Sequence, residues 1–190
     1  ALRALQRLTS PAWHPGEPLP LPANLVDSVR ARLAELPPTA LQLAQLAAVA
    51  GGDFSLSLAA AACGCAPLAL APHFRALEDA DVLSASGFLH DLVEEAVSAT
   101  LPETLRKPLH GLVADHLAVK GGSLVRLAHH RRAAGQTAEA ADAFRRAADA
   151  ARHGWRMAEA AEALEAEAAL RTEAERPRRL LAWGDAARCW

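Results

Sequence analysis

Apolar residues in this chain recur mainly at the three- and four-residue spacings that place side chains on one face of an α-helix. The first such pattern lies in residues 24–36 and has four apolar positions: Leu25, Val29, Leu33 and Leu36. Asn24 precedes them and is a residue type that often caps a helix. Two prolines at 37–38 stop the pattern, because proline lacks the amide hydrogen that a helix interior needs. We therefore predict a helix over 24–36.

Further patterns predict more helices and one hairpin before residue 101. They are helices over 39–50, 55–63 and 67–81, two very short strands within 82–89, and a helix over 90–100. The third of these helices begins at Pro67, a first-turn position that needs no amide hydrogen. Helix, helix, helix, hairpin, helix is the order expected of a winged helix.

Beyond residue 101 the pattern is purely helical. The predicted helices cover 102–119, 123–134, 137–153, 157–172 and 178–190. Pro108 lies inside the first of them, where proline produces either a kink or an early boundary. Five apolar residues of that helix are predicted to share one face: Leu105, Leu109, Leu112, Val113 and Leu117.

The helix pair in residues 123–153 matches the packing pattern of a tetratricopeptide repeat. With Gly135 as the turn, six residues fall on its packing positions: Leu124, Leu127, Ala128, Ala140, Phe144 and Ala147. The proline that usually ends such a repeat is absent, and the next pair matches only in its alternation of helix and turn. The predicted fold class is mainly α: a winged-helix domain with a short β-hairpin, followed by tetratricopeptide-like α-hairpin repeats.

The composition agrees with a helical protein and excludes several classes. Alanine makes up about a quarter of the residues, and isoleucine and tyrosine are absent, a mixture that favours helix over sheet. A net charge of −2 gives no general attraction to nucleic acid or to an anionic membrane. No apolar run reaches the about 18–20 uncharged residues of a membrane span, and no signal peptide is recognisable. We expect a cytoplasmic piece of a longer protein.

The sequence lacks the common motifs of catalysis and metal binding. Cys63-Gly64-Cys65 lacks the two-residue spacer of common zinc and redox motifs. We expect the three cysteines, these two and Cys189, to be reduced thiols. His110 and His116 are six residues apart and so do not share a helix face. No glycine-rich phosphate loop ends in Gly-Lys-Ser/Thr. We expect no catalytic residue, no metal site and no nucleotide hydrolysis by these 190 residues.

The segment over 87–96, Gly-Phe-Leu-His-Asp-Leu-Val-Glu-Glu-Ala, places a histidine and an aspartate where a short strand passes into a helix. It resembles the Met-His-Asp motif that closes the winged-helix domain of STAND signalling ATPases. That superfamily includes bacterial transcription regulators of the LuxR and maltose-activator types. Leu89 stands where the motif has methionine, an apolar position, and His90 and Asp91 match the other two residues.

The resemblance implies a role in a nucleotide-dependent switch. His90 would contact the β-phosphate of ADP, and Asp91 would hold the corner rigid, but only together with an ATPase domain that is not in this sequence. ATP and ADP would be ligands of the parent protein, and this segment would bind no cofactor of its own. Its partners would be its own ATPase domain and a protein or small-molecule effector on the repeats.

The resemblance also implies a division of the chain. Residues 1–22, rich in proline, would be a linker or a remnant of the ATPase lid. Residues 23–120 would form the winged-helix arm with its linking helix, and residues 121–190 an incomplete set of helical repeats. The predicted reading helix, 67–81, carries Arg75 as its only Arg or Lys against several carboxylates, so we expect no direct contact with nucleic acid.

Several alternatives remain open at this point. A lone histidine at a helix start is often a capping or packed residue, so His90 has a structural interpretation beside the nucleotide-sensing one. The basic and imidazole side chains of 126–132 form either a solvated face with partners at helical spacing or a site for an anionic partner. The whole chain is either part of a STAND regulator, a plain helical-repeat scaffold for a protein partner, or the same module beside a cyclase or kinase.

Overall fold

The computed structural model of the chain describes residues 23–84 and 87–189, with the side chains of 23–26 and 173 excepted. The predicted lid remnant at 1–22 lies outside the described residues. Within them the fold is mainly α, with 81% helix, ten α-helices and one two-stranded antiparallel sheet. The predicted mainly-α class with a short hairpin is therefore confirmed.

The helices and strands of the described residues follow the predicted order. They are α1 (Ala23–Glu35), α2 (Pro38–Ala50), α3 (Leu56–Cys63), α4 (Ala71–Asp79), β1 (Leu83–Ser84), β2 (Gly87–Phe88), α5 (Asp91–Thr100), α6 (Glu103–Lys120), α7 (Leu124–Ala133), α8 (Thr137–His153), α9 (Met157–Leu170) and α10 (Arg176–Ala187). Short 3₁₀ turns lie at Gly51–Asp53, Pro67–Leu70 and Glu173–Glu175. The described residues divide into two compact units, one of 23–48 with 65–84 and 87–100, and one of 49–64 with 101–189.

The first unit has an apolar core formed by α1, α2, α4, α5 and the hairpin. Its most completely buried large side chains are Leu43, Leu70, Leu77, Val82, Val93 and Val97. The predicted helix over 67–81 is shorter than expected, because it begins with a 3₁₀ turn and its α-helical part ends at Asp79. Asp81 has a φ of +52°, a left-handed conformation that cannot continue a right-handed helix.

The hairpin of the first unit pairs Leu83 with Phe88 and Ser84 with Gly87. Gly87 has a φ of +120°, which side chains disfavour and glycine accepts. The Ser84 hydroxyl donates to the carbonyl of Gly87 over 3.2 Å, a bond that ties the strands at the turn. The corner that follows leads directly into α5.

In the second unit each helix from α6 to α10 packs against its neighbour in the chain, and α3 packs against α6. Ser55 caps α3 by accepting from the amide of Leu58 over 3.2 Å, and Gly64 ends it in the left-handed conformation. The α7–α8 turn is made at Gly135, whose φ is +80°, as the sequence predicted. Helix α8 turns an alanine-rich face inward, and short side chains of this kind let helix axes approach closely.

Helix α6 runs through Pro108 without a boundary, so the early end considered for this position is wrong, and the kink stays a prediction. The predicted apolar face is wrong at Leu105, which is 47% exposed. The buried residues of α6 are Val113, Ala114 and Leu117. At 3.6 residues per turn, Leu105 lies about 120° around the axis from Leu117, and this explains its exposure.

No single helix among the described residues is long and apolar enough to cross a membrane. Helix α3 and the helical segment Pro67–Asp79 meet the criterion of length and composition only when they are counted together.

Candidate functional site

His90 lies at the corner between β2 and α5, in the position that caps the helix. Its carbonyl oxygen accepts from the amides of Val93 at 2.9 Å and Glu94 at 3.2 Å. Its side chain is exposed, and its imidazole makes no hydrogen bond or ion pair with any residue that the structure describes. The backbone therefore fixes the corner, while the ring stays accessible to a ligand.

The residues beside His90 set the charge of this corner. Asp91 and Glu94 lie in the first turn of α5, where carboxylates are stabilised by the positive end of the helix dipole. Asp91 is exposed, and Leu89, predicted as an apolar anchor, is 42% exposed. The imidazole is therefore the group at this corner that is suited to donate to a phosphate oxygen.

The six predicted repeat-packing residues lie in α7 and α8. Five of them are buried, with exposures of at most 7%: Leu127, Ala128, Ala140, Phe144 and Ala147. Leu124, in the first turn of α7, is only half-buried. The ring of Phe144 meets His129 edge-on at a centroid distance of 5.2 Å. These residues hold two helices together and offer no chemical group to a ligand.

Two histidines and an aspartate of the second unit form a hydrogen-bonded chain that the sequence did not reveal. The Nδ1 atoms of His110 on α6 and His130 on α7 are 2.9 Å apart. Nε2 of His130 lies 3.4 Å from Oδ2 of Asp53, whose carboxylate is 5% exposed and also accepts Arg126 Nε at 3.1 Å. Asp53 follows Gly51-Gly52 in the 3₁₀ turn that connects α2 to α3.

The contact between the two Nδ1 atoms restricts how many protons His110 and His130 can hold together. When His130 donates Nε2–H to Asp53, its Nδ1 accepts a hydrogen bond from the Nδ1–H group of His110. One added proton leaves every contact intact, because His130 then donates from both nitrogens. A second added proton places two N–H groups face to face. The contact between α6 and α7 at this point thus depends on at least one neutral imidazole.

The electrostatic surroundings favour the neutral forms. Burial lowers the pKa of His110, and the charges of His130 and Arg106 lower it further. Burial also lowers the pKa of His130 and outweighs the opposing effect of Asp53. For His129, burial and the charge of Arg132 again lower the pKa. All three imidazoles resist protonation in the folded chain.

These shifts predict that acidification destabilises the second unit. The folded pKa values of His110 and His130 lie below the ordinary value of 6.5. At a pH between the folded and the ordinary values, the unfolded chain therefore binds more protons than the folded one, and the free energy of unfolding rises with pH. The contribution is complete above about pH 6.5 and is lost as the pH falls below it. We expect the urea midpoint to decrease between about pH 7.5 and about pH 5.5.

The matched control uses another histidine. His130→Asn should flatten this pH dependence, whereas His153→Asn, at an exposed position on α8, should leave it unchanged. A midpoint that is constant or rises on acidification would contradict the interpretation, as would an unaltered slope in His130→Asn.

The other basic side chains of 126–132 also have partners. Arg131 on α7 reaches Asp115 at 2.7 Å and Gln136 at 2.6 Å. Arg132 lies 3.3 Å from Nδ1 of His129, three residues earlier on the same helix. Partners at helical spacing thus account for Arg132, whereas Arg126 and Arg131 are bound by residues of other elements. The positive charge of this cluster is largely neutralised within the second unit.

A second charged cluster joins α8, α9 and α10. Glu167 is 2% exposed and lies between two arginines, 2.7 Å from Arg145 Nε and 3.1 Å from Arg171 Nη2. Arg145 also reaches Asp185 on α10 at 2.8 Å, and Arg171 reaches Asp142 on α8 at 2.7 Å. The ion pairs from Arg145 and Arg171 cross-link α8, α9 and α10.

The pKa values in this cluster show that its charges stabilise one another. Burial alone would lower the pKa of Arg145, but the hydrogen bond to Asp185 and the charge of Glu167 outweigh it and raise that pKa. The same balance, with Asp142 and Glu167 as partners, raises the pKa of Arg171. The hydrogen bond from Arg145 lowers the pKa of Asp185. The cluster is suited to hold helices together.

No group of three or more His, Cys, Asp or Glu residues in the described part of the chain is arranged to hold a metal ion. No disulfide joins the three cysteines, all of which lie among the described residues, and Cys63 is exposed.

The sequence singled out His90 as a candidate and placed the packing residues of α7 and α8, but it did not reveal the hydrogen-bonded series Asp53, His130 and His110. The two histidines are 20 residues apart and Asp53 is 77 residues from His130, so no local spacing signals the contact. Comparison with known proteins adds no name to these sites: no family model, no curated protein and no solved structure matches this chain.

Proposed function

We propose that this chain is a regulatory segment of a STAND-type signalling ATPase, most simply a bacterial transcription regulator. One observation carries the proposal: the imidazole of His90 is exposed at a strand-to-helix corner, fixed by its backbone and unbonded to the described residues. A packed or capping side chain would be buried or bonded. The corner thus has the properties that a phosphate-contacting group requires.

The elements around His90 support an arm domain of the winged-helix kind. Helix α4, the hairpin and α5 follow one another without a long connection. The short strands keep His90 and Asp91 next to a buried core that includes Val82 and Val93. A movement of the His90 corner would be transmitted to the rest of this domain, because the core beneath the corner is packed and rigid.

Two helix pairs in the second unit, α7–α8 and α9–α10, support a tetratricopeptide-like sensor region. Each helix packs on the next, and the buried small residues of α8 and α9 permit close contact between pairs. Repeats of this type stack into extended surfaces for proteins or small effectors. In this proposal the arm contacts the nucleotide and the repeats receive the effector.

A plain scaffold for a protein partner is the second candidate. The last helix favours it, because α10 leaves three large apolar side chains at least half exposed: Leu180, Leu181 and Trp183. Tryptophan in particular is a common anchor in protein interfaces. This candidate gives no reason for an accessible His90 at a rigid corner, so we place it second.

Nucleotide binding distinguishes the two candidates. The 190-residue chain should bind ADP no more tightly than about millimolar, because it lacks a phosphate loop. The STAND proposal requires a glycine-rich loop ending in Gly-Lys-Ser/Thr about 200–300 residues upstream, within the length of one ATPase domain. A chain extended to include that loop should bind ADP at micromolar concentration or below in isothermal titration.

Two results would contradict the proposal. One is a parent sequence without such a loop, and the other is a micromolar ADP site on the 190 residues alone.

A further inference from the structure

The second unit contains a groove of about 780 Å³ beside α6 that none of the preceding interactions explains. Its apolar lining comes from three places: Ala61 on α3, the residues Pro108, Gly111, Leu112 and Val119 on α6, and Ala134 at the end of α7. Four polar side chains complete it: Lys107, Asp115, His116 and Gln136. A volume of this size and an apolar lining with a few polar groups are typical of small-molecule sites.

Gly111 keeps the floor of the groove open. A glycine inside a helix costs about 0.5–1 kcal/mol relative to alanine, so its presence in α6 brings no local advantage. A β-carbon here would be 3.9 Å from the Ala134 side chain and 3.9 Å from Nε2 of Gln136, so a larger side chain would fill the space between α6 and the α7–α8 turn.

Arg131 arranges the polar groups on one side of this groove. It donates to Oε1 of Gln136 over 2.6 Å, and this bond turns the amide nitrogen of Gln136 towards Gly111. It also holds the Asp115 carboxylate at 2.7 Å and neutralises it. One arginine therefore fixes a hydrogen-bond donor at the groove and cancels the negative charge beside it.

Lys107 supplies the remaining charge. It lies one turn before Gly111 on α6, lines the groove, and forms no ion pair with a described residue. His116 lies on the same helix as Lys107, and its Nε2 is 3.2 Å from the hydroxyl of Ser57 on α3. The groove thus combines an apolar floor, an unpaired ammonium group and an oriented amide donor, a set that is complementary to an anionic oxygen attached to an apolar body.

We propose that this groove binds a small organic anion, with a carboxylate at Lys107 and Gln136 and an apolar portion over Gly111. The site lies wholly in the second unit and needs no nucleotide, so it goes beyond the proposed switch and stands or fails separately from it.

Octanoate is a suitable probe, with octylammonium as its counterpart of opposite charge. Isothermal titration of the 190-residue chain should give millimolar or tighter binding of octanoate and at least about tenfold weaker binding of octylammonium. Lys107→Glu should weaken octanoate binding by about tenfold or more, the value of one charge-assisted hydrogen bond, and should strengthen octylammonium binding.

Lys120→Glu is the matched control. It makes the same change of net charge in the same helix, outside the groove lining, and should leave both affinities within about twofold. Gly111→Leu should abolish octanoate binding by filling the floor. If that variant fails to fold, the two lysine variants still decide the question.

Three results would overturn the proposal. They are no octanoate binding at millimolar concentration, equal binding of the two probes, and equal effects of Lys107→Glu and Lys120→Glu.

Discussion

Replacing His90 with alanine in a protein that carries the proposed ATPase domain should raise its basal activity in the absence of inducer and weaken its retention of ADP. A hydrogen bond from the imidazole to the β-phosphate exists only while the arm is closed on the nucleotide. A ligand contact shifts the equilibrium between two states only by the difference in its free energy between them. One charge-assisted bond is worth roughly 1.5–3 kcal/mol, so the closed-to-open ratio should fall by a factor of about 10 to 150.

The isolated 190-residue chain provides the internal control for this substitution. His90 is exposed and its ring is unbonded within the described residues, so His90→Ala should change the free energy of unfolding by no more than about 0.5 kcal/mol. His153→Ala, at another exposed histidine, should alter neither the basal activity nor the ADP retention of the full protein.

The competing interpretation predicts the opposite pair of results. If His90 is a structural residue, the isolated chain loses stability and the full protein gains no activity. A variant with both of these properties would reject the nucleotide-sensing role, and measurement of activity and stability on one substitution separates the two interpretations.

The sequence predicted helix bounds well where glycine residues flank a clear amphipathic pattern. Helix α8 has the predicted bounds, Thr137–His153, because Gly135 and Gly154 flank a long amphipathic pattern. The ends of α4 and α9 were placed too late, at 81 and 172 instead of 79 and 170. The backbone leaves the helix just beyond both observed ends, because Asp81 has a left-handed φ of +52° and Arg171 is extended.

The contacts between distant segments could not be predicted in this way. Packing of α3 on α6 groups residues 49–64 with residues 101–190, whereas the sequence suggested a domain break at 121, and that division stays a prediction. The same packing creates the groove at Gly111. Residue spacing reports which side chains share a face of one helix, and it contains no information on which other helix covers that face.

The buried charges of α9 provide the largest expected effect on stability. Glu167→Ala should lower the free energy of unfolding by about 3–5 kcal/mol, because it removes the one carboxylate between two guanidinium groups in a low-dielectric site. Arg145 and Arg171 would keep their outer partners, Asp185 and Asp142, but would face each other without the central negative charge. Urea unfolding followed by circular dichroism measures the loss.

Glu162→Ala is the matched control for this experiment. It makes the same substitution in the same helix at an exposed position, and it should cost no more than about 0.5 kcal/mol. An equal effect of the two substitutions would show that the cluster does not stabilise the second unit.

A double-mutant cycle then tests whether Glu167 acts through its arginine partner. Arg171 is 7% exposed and donates to Glu167 from both Nε and Nη2. In the Glu167→Ala variant Arg171 has already lost its buried partner, so the further substitution Arg171→Ala should cost less than it does in the original protein. The double variant Glu167→Ala with Arg171→Ala should therefore be less destabilised than the sum of the two single variants, by about 0.5–3 kcal/mol. Strict additivity would mean that the two side chains stabilise the second unit independently, and that the 3.1 Å ion pair between them, which lies within α9 and its C-terminal cap, contributes nothing to stability.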